Sequence, residues 1–202
     1  MSTQVPEQPE FGEPLPIKPS PQVLAFLARR RSASALTLRA PGPEAKDVNT
    51  LLRLATRVPD HGKLTPWRFI VISGTGKADL ADALMLIAKA RPDAAKAVAA
   101  LGKFNAPPVA ICVVSHPVPG DIPEWEQQLS AGAVCISLLN AASAMGYGAN
   151  WITDWYSSDP TATALLGLKA DERVAGMVFL GTAAEAPLER VRPEPEKLIT
   201  RI

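Results

Sequence analysis

The sequence predicts an α+β fold in which one central sheet is flanked by helices. The predicted order is helices, strand, helices, strand, long helix and strand, which is not the strict strand–helix alternation of a doubly wound parallel sheet. The segment 108–115 is apolar without alternation, which indicates a strand covered on both faces. With 202 residues, 47% of them hydrophobic, the chain is long enough for one domain with its own core.

The chain divides into a proline-rich arm at 1–20 and a globular part at 21–202. Prolines recur throughout the arm, which therefore forms no helix and has few apolar groups to bury. We expect the arm to be extended. Its first residues lack the basic and apolar regions of a secretory signal, and the chain has no apolar run of membrane-spanning length, so a cytoplasmic location is expected.

The remaining elements follow from apolar periodicity and from glycine and proline positions. The segment 124–145 is apolar almost all round from Ala131 onward and crowded with small residues, which predicts a central helix that another backbone or a flat ligand approaches closely. We expect a turn at 74–76, and Gly181 to end the last strand. The expected helices are one from 21 to the arginines at 29–31, then 43–58, 77–90, a short one after 92, and 124–145; the expected strands are 67–72, 108–115, 147–152 and 174–180.

Composition and motifs exclude several classes of function. A net charge of +1 gives no general attraction to nucleic acid or to a membrane surface. His61 and His116 lie far apart and the two cysteines lie in separate apolar runs, so no metal site is expected. The segment 74–77 lacks one glycine of a dinucleotide fingerprint and one of a Walker loop, and the chain has no nucleophile elbow.

Three segments carry residue types that suit a flat, anionic ligand. The segment 29–34 combines three guanidiniums with two hydroxyls, as a phosphate monoester requires, although cations are also common in the last turn of a helix. Arg57 and His61 frame a loop at 59–66 and, with Trp67, either line the mouth of such a site or are ordinary surface residues. The glycines in 146–153 line a ligand or cap the preceding helix.

Taken in this order, these segments resemble the nitroreductase family, and in particular its short, single-domain branch. The likeness runs from about residue 21 to residue 182 and leaves out the arm and the final tail. Any one motif is weak, but several in the right order and spacing are specific. The matching segments are 30–34 (RRSAS), 57–61 (RVPDH), 65–69 (TPWRF), 125–132 (WEQQLSAG), 141–146 (AASAMG), Trp151 and 179–182 (FLGT).

The resemblance implies an intertwined homodimer with a mixed central sheet and FMN at the dimer interface. Electrons would pass from NADH or NADPH through flavin N5 to a nitroaromatic, a quinone or another small-molecule acceptor. The flavin would carry the chemistry, so no catalytic acid or base is assigned to the protein. Besides the acceptor, the expected partner is a second copy of the chain, with neither nucleic acid nor membrane.

The resemblance also assigns residues to the site, position by position. Arg30, Arg31 and Ser32 would hold the phosphate and ribityl end of FMN. Arg57 and His61 would reach FMN from the neighbouring subunit. The isoalloxazine would be lined by Trp151, Ile152 and Thr153, and the nicotinamide nucleotide by Ala141, Ala142, Ser143, Ala144, Met145 and Gly146.

The sequence departs from the family pattern at two positions. Ala35 stands where a basic residue often follows the Ser-x-Ser segment, so phosphate binding is expected to be weaker unless Arg29 compensates. Thr65 stands where a polar amide often precedes the proline. Three alternatives stay open: a specialised flavin-destroying or dehalogenating member of the same superfamily, a flavin-binding protein without turnover, and a helical interaction domain without a cofactor.

Overall fold

The computed structural model describes residues 5–202 and confirms the predicted order of the main helices and strands. The arm at 5–20 contains neither helix nor strand. The helices are α1 (Pro21–Arg29), α2 (Ala45–Ala55), α3 (Gly74–Ala90), α4 (Ala94–Ala100), α5 (Gly102–Asn105), α6 (Glu124–Ala144) and α7 (Pro160–Leu165). The strands are β1 (Leu38–Arg39), β2 (Trp67–Ser73), β3 (Val109–Ser115), β4 (Gly148–Ile152) and β5 (Arg173–Ala183).

β5 is the central strand of the sheet. It pairs with β3, which in turn pairs with β2, and it also pairs with β4 and, at its C-terminal end, with β1. Each of these pairings is antiparallel. The sheet formed by residues 5–202 is therefore antiparallel, whereas the sequence analysis expected a mixed sheet, because none of its neighbouring strands run in the same direction.

The core consists of two layers, one on each face of the sheet. Along β3, Ala110, Cys112 and Val114 face the layer that contains α3 to α5 and α7, and the intervening residues face α2 and α6. All seven residues of β3 are buried, which confirms the prediction of a strand covered on both faces. Burial raises the pKa of both free cysteines, Cys112 and Cys135, to about 12.

Helix starts follow local capping signals. Ser20 Oγ accepts from the backbone N–H of Val23 at the start of α1, and Glu44 forms a capping box with Asp47 at the start of α2. The unpredicted helix α7 starts in the same way, since the Asp159 carboxylate accepts two backbone N–H groups beyond a proline. Its signal was present in the sequence, but the helix has only six residues.

Two glycine predictions are wrong, for different reasons. Gly74 to Gly76 do not form a separate turn but the first turn of α3. Gly181 does not end the last strand, because β5 continues to Ala183 and pairs there with β1. A Cβ at Gly181 would lie 2.9 Å from the carbonyl oxygen of Arg39, so this glycine permits close approach of the backbone rather than terminating the strand.

The helices α6 and α1 each present several apolar side chains to solvent in the single chain. α6 is buried on the sheet side but exposes Trp125, Leu129 and Ile136, which are 66%, 53% and 39% accessible. A Cβ at Gly132, between them, would meet no atom within 4 Å. α1 has no buried residue at all. None of the helices described between residues 5 and 202 is long and apolar enough to cross a membrane.

Candidate functional site

The segment after α1 is held against β4 by two hydrogen bonds. The backbone N–H of Ala33 donates to the carbonyl oxygen of Ala149 at 3.0 Å, and Asn150 Nδ2 donates to the carbonyl oxygen of Ala33. The fold therefore brings together two segments that sequence analysis singled out separately, 29–34 and 146–153. Their positions relative to each other are fixed by the edge of the sheet.

A cavity of about 580 Å³ opens where these two segments meet. Arg31, Ser32 and Asn150 lie on its walls together with part of the C-terminal tail, residues 184–202. Its lining combines guanidinium, hydroxyl and amide donors, the groups that bind phosphate oxygens. The complete lining is Arg31, Ser32, Ser34, Thr37, Asn150, Glu185, Ala186, Pro187 and Leu188.

Arg31 of this cavity has two guanidiniums near it, those of Arg30 and Arg192, and we call these three residues the arginine cluster. Burial, followed by the positive charges of Arg31 and Arg192, lowers the pKa of Arg30. Within residues 5–202, Nη1 of Arg30 is buried and has no hydrogen-bond partner. A buried donor left unpaired in a positive field is costly, and a bound anion would satisfy it. Sequence analysis missed Arg192, which lies about 160 residues further along the chain and in no recognised motif.

The loop at 59–66 is rigidly fastened to α6. The Asp60 carboxylate accepts the backbone N–H groups of Leu64 and Thr65, at 3.1 and 2.8 Å. Ser130 of α6 donates from Oγ to the carbonyl oxygen of Pro59 at 2.8 Å and accepts from Trp67 Nε1 at 3.2 Å. These bonds hold a backbone with two non-glycine residues at positive φ, which indicates a loop kept in one conformation.

This loop presents His61 to solvent beside the N-terminal end of α6. His61 Nδ1 lies 2.7 Å from Glu126 Oε2, and both side chains are largely exposed. Arg57 lines a different cleft of about 500 Å³, together with Gln8 of the arm and Arg53. Neither residue lines the cavity beside the arginine cluster, so one chain does not bring all the predicted FMN residues together.

Residues 151–153 follow the segment bound to Ala33 and lie in different surroundings. Trp151 Nε1 donates to the carbonyl oxygen of Ala175 at 3.2 Å, and the indole covers Gly176, where a Cβ would collide with it. Ile152 packs against the core layer, and Thr153 faces a cleft beside α4. The β4 backbone thus leads from the arginine cluster toward this cleft, over about 10 Å from Asn150 to Thr153.

The segment predicted to bind the nicotinamide nucleotide is only partly accessible. Ala141 and Ala142 are buried in the layer beneath α6, so their side chains are closed to a ligand. Ser143, Ala144, Met145 and Gly146 reach the surface to different extents. Gly146 has φ of +86° and follows the helix as a C-cap, the alternative function that the sequence left open for it.

A buried ion pair outside the predicted site links three elements of the fold. Arg68 donates from Nε and Nη2 to the two carboxylate oxygens of Glu172, at 2.7 and 2.6 Å. The Glu172 side chain is completely buried, and its pKa is lowered to about 2, chiefly by the bond from Arg68. His116 Nδ1 lies 3.3 Å from Glu172 without forming a hydrogen bond. No sequence signal joins residues so far apart, and the pair anchors the start of β5.

The chain is similar in sequence to a family of known proteins. The family model described as "Nitroreductase family" matches residues 27–182. A protein of Escherichia coli strain K12 assigned by name to the NAD(P)H nitroreductases, YdjA, is 31% identical over 180 residues, which are 88% of this chain and 97% of that protein. A Haemophilus influenzae protein assigned to the same group is 33% identical over 166 residues, 80% of this chain and 89% of its own length.

Solved structures show the same fold. A nitroreductase-like family protein from Bacillus cereus superposes with a TM-score of 0.80 at 23% identity, covering 93% of this chain and 99% of that one. A nitroreductase with bound FMN from Bacteroides fragilis superposes with a TM-score of 0.68 at 22% identity, covering 91% and 100%. The likeness in sequence and fold extends over most of the chain, and the chain belongs to the nitroreductase family.

Proposed function

We propose that this protein is an FMN-dependent oxidoreductase that passes electrons from NADH or NADPH to a small acceptor such as a nitroaromatic or a quinone. The observation that carries the proposal is Nη1 of Arg30, which is buried near two further guanidiniums and has no hydrogen-bond partner in the described part of the chain, residues 5–202. The FMN in the Bacteroides fragilis structure and the donor in the Escherichia coli protein's name support the same assignment.

The phosphate end of FMN fits the arginine cluster. A phosphate monoester carries about −1.5 to −2 charges at neutral pH and presents three acceptor oxygens. Arg30, Arg31 and Arg192 supply positive charge, and Ser32 supplies a hydroxyl donor in the same cavity. A bound phosphate would pair the buried Nη1 of Arg30 and offset the repulsion between the three guanidiniums.

The flavin ring is assigned to the end of β4. A phosphate beside Asn150 and a ring beside Thr153 would lie about 10 Å apart along the strand, a distance that the ribityl chain spans. When bound, the flavin supplies hydride and electron transfer, and the protein orients it and tunes its charge. In this scheme Trp151, held against Gly176, gives the ring a fixed support, and no protein residue is assigned as an acid or base.

The complete site is proposed to need a second copy of the chain. Arg57 and His61 lie away from the arginine cluster within one chain, and each is exposed. The apolar face of α6 (Trp125, Leu129 and Ile136) is also exposed, and Gly132 leaves room for close approach of another helix. Packing of two such faces would bury these side chains and bring the partner's loop to FMN. The buried parts of the proposed nucleotide segment limit contact to Ser143 through Gly146.

Absorption spectroscopy tests this function. We expect purified protein reconstituted with FMN to keep the flavin through desalting, and its visible bands to bleach when NADH or NADPH is added without oxygen. The bands should return on addition of a quinone or nitroaromatic. The double variant Arg30→Ala/Arg31→Ala should lose FMN, whereas the matched Arg201→Ala variant should keep it. Wild-type protein that takes up no FMN would refute the proposal; bound flavin that neither donor reduces would indicate a flavin-binding protein without turnover.

A further inference from the structure

The C-terminal tail brings a carboxylate into the arginine cluster. Glu189 Oε1 accepts from Arg192 Nε at 3.0 Å and lies 3.8 Å from Arg31 Nε. Arg31 Nε also donates to the carbonyl oxygen of Leu188 at 2.9 Å. The tail is thus attached to the same guanidinium that lines the phosphate cavity. Its residues Glu185 to Leu188 form one wall of that cavity.

Glu189 accepts from one donor that a phosphate would use, Arg192 Nε, and lies 3.8 Å from a second, Arg31 Nε. A carboxylate and a phosphate are both acceptor-only groups that favour guanidinium N–H donors. The Glu189 side chain is 58% exposed, so water can solvate its carboxylate at little cost when the carboxylate moves away from the arginines. The arginine cluster carries three positive charges, of which Glu189 neutralises one, and Nη1 of Arg30 has no hydrogen-bond partner among residues 5–202 in its presence. Glu189 therefore occupies an anion site without saturating it.

We propose that Glu189 is an internal competitor of the FMN phosphate, which holds Arg31 and Arg192 when the cofactor is absent and releases them when the phosphate arrives. This inference rests on the proposed FMN site. It adds a function for the tail: the exchange of one anion for another couples cofactor binding to movement of residues 185–189. The tail then sets how tightly and how quickly FMN is bound.

The competitor model predicts whether a substitution that removes the charge of Glu189 raises or lowers the affinity for FMN. Replacing Glu189 with glutamine removes one negative charge near the incoming phosphate while keeping the shape of the side chain. For a dianion about 6 Å away in water-like surroundings, loss of this repulsion tightens binding by about tenfold. If Glu189 instead positioned the arginines for the phosphate, the same substitution would weaken binding. The two functions of the carboxylate thus predict opposite changes.

Titration of full-length protein, freed of bound flavin, with FMN tests the inference. The dissociation constant is measured from quenching of flavin fluorescence, and the association rate from stopped flow, for wild type, Glu189→Gln and the control Glu194→Gln. The control removes the same charge five residues further along the tail, where the partner is Lys197. We expect Glu189→Gln to bind FMN about tenfold more tightly and the control to match wild type.

The outcomes separate this inference from the proposed function. Unchanged or weaker FMN binding by Glu189→Gln, with wild type still binding FMN, would overturn the competitor and leave the FMN site in place. Equal tightening in both variants would also overturn it, since the effect would then come from net charge. Failure of every variant, wild type included, to bind FMN would overturn both.

Discussion

Removing Arg68 should destabilise the fold because it leaves the Glu172 carboxylate buried without its main partner. The bond from Arg68 is the largest of the influences that hold the pKa of Glu172 at about 2, against an ordinary value of 4.5. A lowering of about 2.5 pH units corresponds to roughly 3 kcal/mol of stabilisation of the ionised form. Breaking a buried pair from one side typically costs about 3–5 kcal/mol, which agrees with this figure. We therefore expect Arg68→Met to lose about 3 kcal/mol of unfolding free energy at pH 7.

The pH dependence of the unfolding free energy of Arg68→Met is a second, independent prediction. In wild type, the contribution of Glu172 is complete above pH 4.5 and is lost as the pH falls toward 2. Without Arg68, burial is the largest single influence left on the Glu172 carboxyl, so its pKa should rise well above 2. Ionised Glu172 then stabilises the fold less near neutral pH than it does in wild type, and this difference shrinks as the carboxyl is protonated on acidification. The stability gap between wild type and variant should therefore narrow from pH 7 to pH 4.

Urea denaturation between pH 4 and pH 8 measures this gap, with both proteins at the same flavin loading. The double variant Arg68→Met/Glu172→Gln is the control, since it removes the buried charge as well as its partner. It should be more stable than Arg68→Met alone at pH 7. A loss below about 1 kcal/mol for Arg68→Met, or a gap that does not change with pH, would refute the argument that this ion pair anchors β5.

Two further substitutions test the proposed support of the flavin ring and the proposed subunit interface. Gly176→Ala places a Cβ where the Trp151 indole lies, so the indole must move. FMN should then bind at least tenfold more weakly in a flavin fluorescence titration. Binding equal to wild type would argue against contact between this indole and the flavin. Ile136→Glu puts a charge on the exposed apolar face of α6 and should shift the protein to a monomer in light scattering, with loss of FMN. The matched control Leu86→Glu, on the exposed side of α3, should change neither the oligomeric state nor FMN binding. A dimer that survives Ile136→Glu would place the interface elsewhere.

The sequence predicted those parts of the fold whose signals are local. The unbroken apolar run of β3 predicted burial on both faces, and the structure shows it. The arginines and serines at 30–34 stand in one short segment, so they were found together. What brings them to β4 is the pair of bonds through Ala33, which depends on the tertiary path of the chain and has no pattern of its own.

Other features depended on contacts between distant residues. Arg192 and Glu189 lie in a polar tail without periodicity, and only the fold places Arg192 near Arg30 and Glu189 near Arg31. Gly181 was predicted to end a strand, because the sequence alone does not distinguish a glycine that permits close backbone approach from one that forms a turn. The partial burial of 141–146 follows from the packing of α6, which its nearly uniform apolar composition did not reveal.

The most direct test of the central claim compares FMN with riboflavin, which has the same ring and ribityl chain but no phosphate. If the arginine cluster holds the phosphate, wild-type protein should bind FMN at least about a hundredfold more tightly, since several charge-assisted hydrogen bonds contribute about 1.5–3 kcal/mol each. Arg30→Ala/Arg31→Ala should bind both flavins equally weakly. Equal affinity of wild type for FMN and riboflavin would contradict the assignment of this cluster as the phosphate site.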